Sequence, residues 1–105
     1  MQRLTPRRVK SFAEPTETNM SVDETKQVSL LEVSSPDRPG LLARIGKVFV
    51  EFGIELQAAK IQTLGERVDD VFFITDAHRQ PITDPALRKA LQEAICRELD
   101  QPAAA

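Results

Sequence analysis

Seven residues, Ser34-Ser-Pro-Asp-Arg-Pro-Gly40, separate two segments whose hydrophobic periods differ. Two prolines and a glycine so close together continue neither strand nor helix, so the chain must turn there. Upstream, Val28-Ser-Leu-Leu-Glu-Val33 is short and rich in β-formers, and reads as a strand. Downstream, Leu41, Leu42, Ile45, Val48, Phe49 and Phe52 recur at helical spacing and make one apolar stripe. Pro39 suits the first turn of that helix, and Asp37 stands where it caps or faces the free N–H groups. Gly53 reads as the left-handed residue that ends it.

The same reading extends along the chain. Ile54 to Thr63 is a second strand with a small apolar middle, Ala58, Ala59 and Ile61, and Leu64-Gly-Glu-Arg67 makes a tight return. Val68 to Thr75 contains Val71-Phe-Phe-Ile74, apolar on both faces, as in a central strand. A polar loop over residues 76–83 leads to Asp84-Pro85, a cap followed by a first-turn proline. Leu87, Leu91, Ile95 and Leu99 then repeat every four residues, until Pro102 stops the helix.

The order strand, helix, strand, strand, helix fits a ferredoxin-like plan that lacks its last strand. Pro15 to Val22, followed by the turn-forming Asp23-Glu-Thr-Lys26, supplies a candidate. The predicted fold is therefore α+β, an antiparallel four-stranded sheet with two helices on one face. Its N-terminal strand takes the place of the usual last one. Residues 1–13, with Arg3, Arg7, Arg8 and Lys10 and few apolar side chains, read as a flexible basic linker. Residues 14–100 form the domain, and 101–105 a disordered tail.

Composition narrows the function. A chain of 105 residues has room for one core. Its 14 Lys+Arg against 16 Asp+Glu give a net charge of -2, which argues against electrostatic binding of nucleic acid. No apolar run approaches the roughly 18 residues that span a bilayer, so no membrane partner is expected. Cys96 is the single cysteine and makes no internal disulfide, which fits a reducing cytoplasm.

Chemistry concentrates at Ser35-Pro-Asp-Arg-Pro-Gly-Leu-Leu42. A strand feeding a helix N-terminus offers unpaired N–H groups and the positive end of a dipole, which favour a small carboxylate. Gly40 lets a ligand approach the backbone, and Asp37 adds the opposite charge. A zwitterionic amino acid needs that combination. The other reading, in which Asp37 only caps the helix and Gly40 only packs, remains open. His78 is the only histidine and lies in a polar loop without ligand partners. Asp69 and Asp70 are adjacent, point to opposite sheet faces, and so do not form a carboxylate pair. No phosphate loop and no nucleophile–base set can be assembled. A small hydrolase with an Arg cradle and a positioned Asn is disfavoured, because Asn19 is the only asparagine and lies outside such a loop.

Asp37-Arg-Pro-Gly-Leu-Leu42, following Glu32-Val33, resembles an ACT domain, a small module that binds amino acids in metabolic regulators. The stretch from Ala59 to Asp76, AKIQTLGERVDDVFFITD, is more specific. It is similar to the last ACT domain of the bacterial bifunctional uridylyltransferase/uridylyl-removing enzymes. Arg7-Arg-Val-Lys-Ser-Phe12 and Pro15-Thr-Glu17 also look like the link into that domain.

The resemblance implies a C-terminal piece of a nucleotidyltransferase and HD phosphohydrolase that modifies the signalling protein PII in nitrogen regulation. Glutamine is the implied effector. Magnesium belongs, by resemblance, to the absent catalytic domains, and no cofactor or activity is expected in this chain. ACT domains often bind their ligand between two modules, so a second ACT domain or a homodimer through a sheet edge is implied. By that likeness the loop of one module contributes Ser35, Asp37, Arg38, Gly40, Leu41 and Leu42. The second strand of the other contributes Glu55, Leu56, Gln57 and Ala58. Glu55 departs from the small polar residue found there in some family members; its charge either holds an ammonium or repels a carboxylate. Gln57 either pairs with a glutamine side chain or is simply an exposed strand residue. The alternative function is an ACT-type dimerisation or docking module that holds no ligand.

Overall fold

The computed structural model describes residues 15–101. The basic segment expected to be a flexible linker and most of the expected tail lie outside the described residues. Along the chain run β1 (Glu17–Asp23), β2 (Val28–Pro36), α1 (Leu41–Glu51), β3 (Glu55–Lys60), β4 (Thr63–Leu64), β5 (Arg67–Thr75) and α2 (Pro85–Asp100). All pairings are antiparallel, in the order β1-β2-β5-β3, with the short β4 on β5. This is the α+β, ferredoxin-like arrangement, with β1 beside β2 in the slot of the usual last strand.

Strand alternation fixes which face is covered. Leu31, Val33, Val68, Phe72 and Ile74 are buried, whereas Glu32 and Asp69 between them are exposed. Against the buried face lie Leu41, Ile45, Val48 and Phe49 from α1, and Leu91, Ile95 and Leu99 from α2. Phe49 meets Phe72 edge-on, with ring centroids 5.6 Å apart. Ile82, 2% exposed, closes one end of the core. Ser29 Oγ holds it there, accepting from Ile82 N at 2.8 Å.

Punctuation behaves as read at three places. Asp23 Oδ1 accepts from the N–H groups of Thr25 and Lys26, each at 3.1 Å, and so makes the β1–β2 turn. Gly53 has a φ of +66° after α1. Asp84 Oδ1 accepts from Ala86 N at 3.2 Å, and Pro85 follows in the first turn of α2.

Two expectations need correction. The start of α1 is not capped by Asp37, and Pro39 is not in its first turn. The helix begins at Leu41, with Gly40 as cap at a φ of 74° and no side-chain cap bond. The Asp37 N–H is already committed to Glu66 O at 2.8 Å, which holds the turn extended past the point where a helix could begin. Second, the strand expected over Ile54–Thr63 is interrupted, which leaves five strands instead of four. Gln62 donates its N–H to the Asp70 side chain at 3.1 Å, so the backbone ladder breaks between β3 and β4.

The seam between the helices is closed by two arginines. Arg38 Nη1 donates to Leu99 O at 2.5 Å. Arg44 donates to Glu98 O and, at 2.9 Å, to Gln101 O. These carbonyls belong to the C-terminal end of α2, where no intrahelical donor is left and the dipole is negative.

The corrected capping assignment makes a stability prediction. Asp84→Ala should cost about 1 kcal/mol, while Asp37→Ala should stay within about 0.5 kcal/mol of the parent. Urea unfolding of the two variants checks this; equal losses would restore Asp37 as a cap.

Candidate functional site

Where β2 ends, Pro36 lies opposite Arg67 of β5. The Asp37–Glu66 backbone bond then draws the turn over the end of the sheet. Under that turn lies a cavity of about 300 Å³ lined by Asp37, Arg38, Gly40, Leu41, Leu42, Ala43, Ile61, Thr63, Val68 and Asp70. Five of the six loop residues read from the sequence are therefore brought together. Ser35 is not among them: it is 1% exposed, points into the core and donates to Pro36 O at 3.2 Å.

The wall on the helix side carries the donors. Leu41 N is used by Arg38 O at 3.3 Å. Leu42 and Ala43 follow in the first turn, where N–H groups have no partner inside the helix. The helix dipole adds positive potential at the same place.

The sheet-side wall carries Asp70, which the sequence reading set aside. It stands at the core-facing parity of β5, between Val68 and Phe72, and is 1% exposed. Oδ1 accepts the Gln62 N–H, whereas Oδ2 has no partner. Burial pushes its carboxyl above the ordinary 3.8; the Gln62 bond acts the other way, and the charges of Asp69 and Asp37 add to the rise. The signal was present in the sequence. Of two adjacent aspartates in an apolar strand, one has to face the core.

Glu55, Leu56, Gln57 and Ala58 are elsewhere. Glu55 pairs with Thr75, at the end of β5 away from Arg67. Eight residues of strand put it about 26 Å from the turn. Gln57 sits at a register shift, and its amide donates to Thr75 Oγ1 at 3.1 Å. Glu55 has Arg79 as a neighbour, 3.9 Å away and exposed, a pair worth little. Every residue of β3 is exposed, and Leu56 is 51% so.

A wider depression, about 420 Å³, lies over the uncovered sheet surface and includes Glu17, Asn19, Glu32 and Asp69. Its charged lining is acidic throughout, which suits no carboxylate ligand. His78 is exposed in its loop, and Cys96 is half-buried on α2. Among the described residues, no three His, Cys, Asp or Glu side chains are grouped to hold a metal. No described helix is long and apolar enough to cross a membrane.

Residues 29–93, from β2 into α2, match the ACT domain family. The chain is an ACT domain. It is also similar to proteins named bifunctional uridylyltransferase/uridylyl-removing enzyme. The Pseudomonas fluorescens protein is 59% identical over 94% of this chain and 11% of its own length. That of Ectopseudomonas mendocina is 53% identical over 99% of this chain and 12% of its own. That of Pseudomonas aeruginosa is 55% identical over 96% and 11%. This ACT domain thus spans about one ninth of the length of the enzymes it matches.

Asp70 gives the ACT domain a pH signature. A carboxyl whose folded pKa lies above its unfolded value disfavours the fold while ionised. That penalty fades as pH falls through the raised value and is gone below the ordinary 3.8. Urea unfolding of the parent and Asp70→Asn from pH 7 downward should show the parent gaining on the variant as the medium turns acidic. A difference that stays flat or runs the other way would reject the assignment.

Proposed function

We propose that this ACT domain is a glutamine-sensing regulatory module of a uridylyltransferase/uridylyl-removing enzyme that modifies PII in the cytoplasm. The cavity at the start of α1 carries the proposal: first-turn N–H groups and carboxylates face one space of amino-acid size. Within it the ligand carboxylate lies toward Leu42 and Ala43, and the ammonium toward the acidic side chains. Catalysis, with its magnesium, is assigned to the remainder of the much longer relatives.

Pairing of modules follows from the separation of the two residue groups. Within one chain the turn and Glu55–Ala58 lie at opposite ends of the sheet. Antiparallel pairing of two β3 edges sets the start of one β3 beside the end of the other. There Ile61 and Thr63 lead into the partner's cavity. The exposed Leu56 and Ile61, and Val50 at 80% exposure on the adjoining helix, favour such a contact. The second module is another ACT domain of the same enzyme or a second copy of this one.

Regulation then amounts to a population shift. Glutamine binds the paired arrangement more tightly and biases the attached domains by its differential affinity. About 1–3 kcal/mol is enough for a useful switch.

The exposed edge also favours a second reading, in which the module only docks and its cavity holds nothing. Calorimetric titration with millimolar glutamine separates the two. Glutamine should release or absorb heat, Asp37→Ala should weaken binding several-fold with the fold intact, and Leu56→Lys should lower the paired fraction in sedimentation. Absence of heat in parent and variant, with pairing unchanged by glutamine, would leave the docking reading.

A further inference from the structure

We infer that Oδ2 of Asp70 accepts a primary ammonium group in the cavity between the Asp37–Leu42 turn and the Ile61–Thr63 segment. The inference deepens the amino-acid reading of that cavity and rests on it. It names the side chain that holds the α-amino end.

The argument starts from an unsatisfied atom. A buried carboxylate oxygen without a partner is rare, because burial removes water and nothing replaces it. Among the described residues only Arg44 Nη1 and Asp70 Oδ2 are left in that state. Arg44 lies in the seam between the helices, with its other nitrogens on Glu98 and Gln101. Asp70 is among the residues lining the cavity and also lies beside the wider depression on the uncovered face. Its parity with Val68 and Phe72 turns its side chain to the helix side, where a guest can supply what the protein does not.

The surroundings select a cation. Asp37 lines the same space, and Asp69 is next in sequence, so the local field is negative. The basic side chain in the lining, Arg38, is drawn to Leu99 O at the end of α2. Arg67, next to the turn, donates to Ser34 Oγ at 3.1 Å. A metal ion is a poor fit, since no third acidic, cysteine or histidine ligand joins the pair among the described residues. An ammonium is a compact charge with three donors, which suits two carboxylates approaching from different elements.

The opposite wall completes a zwitterion. First-turn amides of α1 favour a carboxylate, and Leu42, Ile61 and Val68 offer apolar surface to a side-chain stem. The backbone groups of an α-amino acid are therefore held by one chain alone. Glu55–Ala58 of a second module reach only its side chain. Asp70 sets the requirement for an amine, and the partner sets which amino acid enters.

The test is an amide-resolved NMR titration of the 105-residue chain and its Asp70→Asn variant. The probes are L-glutamine, L-alanine, L-leucine and glutaramic acid, which is glutamine without its α-amino group. Asn keeps an oxygen for the Gln62 N–H but loses the charge. Glutamine should move the Gln62, Leu42 and Ala43 signals, with at least about tenfold weaker binding in Asp70→Asn. Glutaramic acid should show the same loss on the parent, which keeps the test valid should the variant fold poorly. Binding of alanine or leucine but not glutamine, again lost in Asp70→Asn, would end the glutamine reading and leave this inference standing. The inference is overturned if Asp70→Asn binds within twofold of the parent or if glutaramic acid binds as well as glutamine. It is overturned equally if no amino acid moves these signals.

Discussion

The register between β2 and β5 decides both the core and the cavity. It places Leu31 against Phe72 and Val33 against Asp70, so that every second residue of both strands faces the helices. A slip of one residue would turn Leu31 and Val33 outward while Phe72 and Ile74 stayed against the helices. The same register sets Pro36 opposite Arg67, and the Asp37–Glu66 backbone bond follows directly. That bond delays the helix to Leu41 and leaves a space beneath the turn. Packing and binding geometry thus share one cause.

Much of the architecture was legible because it depends on local chemistry. Prolines and glycines at 36, 39, 40, 53 and 85 mark changes of period, and the apolar stripes on either side name the elements. The unusual place of β1 was legible too, since Asp23 ends a strand with a side chain that folds back on the next amides. Details that rest on distant partners were not. Nothing near Asp37 in the sequence shows that its N–H is claimed by Glu66. Nothing near Gln62 shows that a side chain eight residues away will take its amide and split a strand.

The same division runs through the site. The turn residues announce themselves by type, and the structure gathers Asp37, Arg38, Gly40, Leu41 and Leu42. Ser35 and Asp70 share the core-facing parity, Ser35 opposite Val68 and Asp70 opposite Val33. Parity alone therefore does not separate them: the Ser35 hydroxyl is spent on Pro36 O outside the cavity lining, whereas Asp70 lines the cavity with Oδ2 unpartnered. Its neighbour Asp69 disguised Asp70 as half of an ordinary surface pair. Glu55 and Gln57 are read from likeness and stand far from the turn within one chain.

The latch at the end of α2 mixes two kinds of contact: Arg38 and Arg44 hold the carbonyls of Leu99, Glu98 and Gln101, and Arg44 Nε also meets the Glu98 carboxylate at 3.4 Å. Acid has its clearest point of attack elsewhere, in the 76–80 loop. There the Asp76 carboxylate gathers the N–H groups of Gln80 and His78, which hold its pKa below the ordinary 3.8 and tie the shape of the loop to the ionised form.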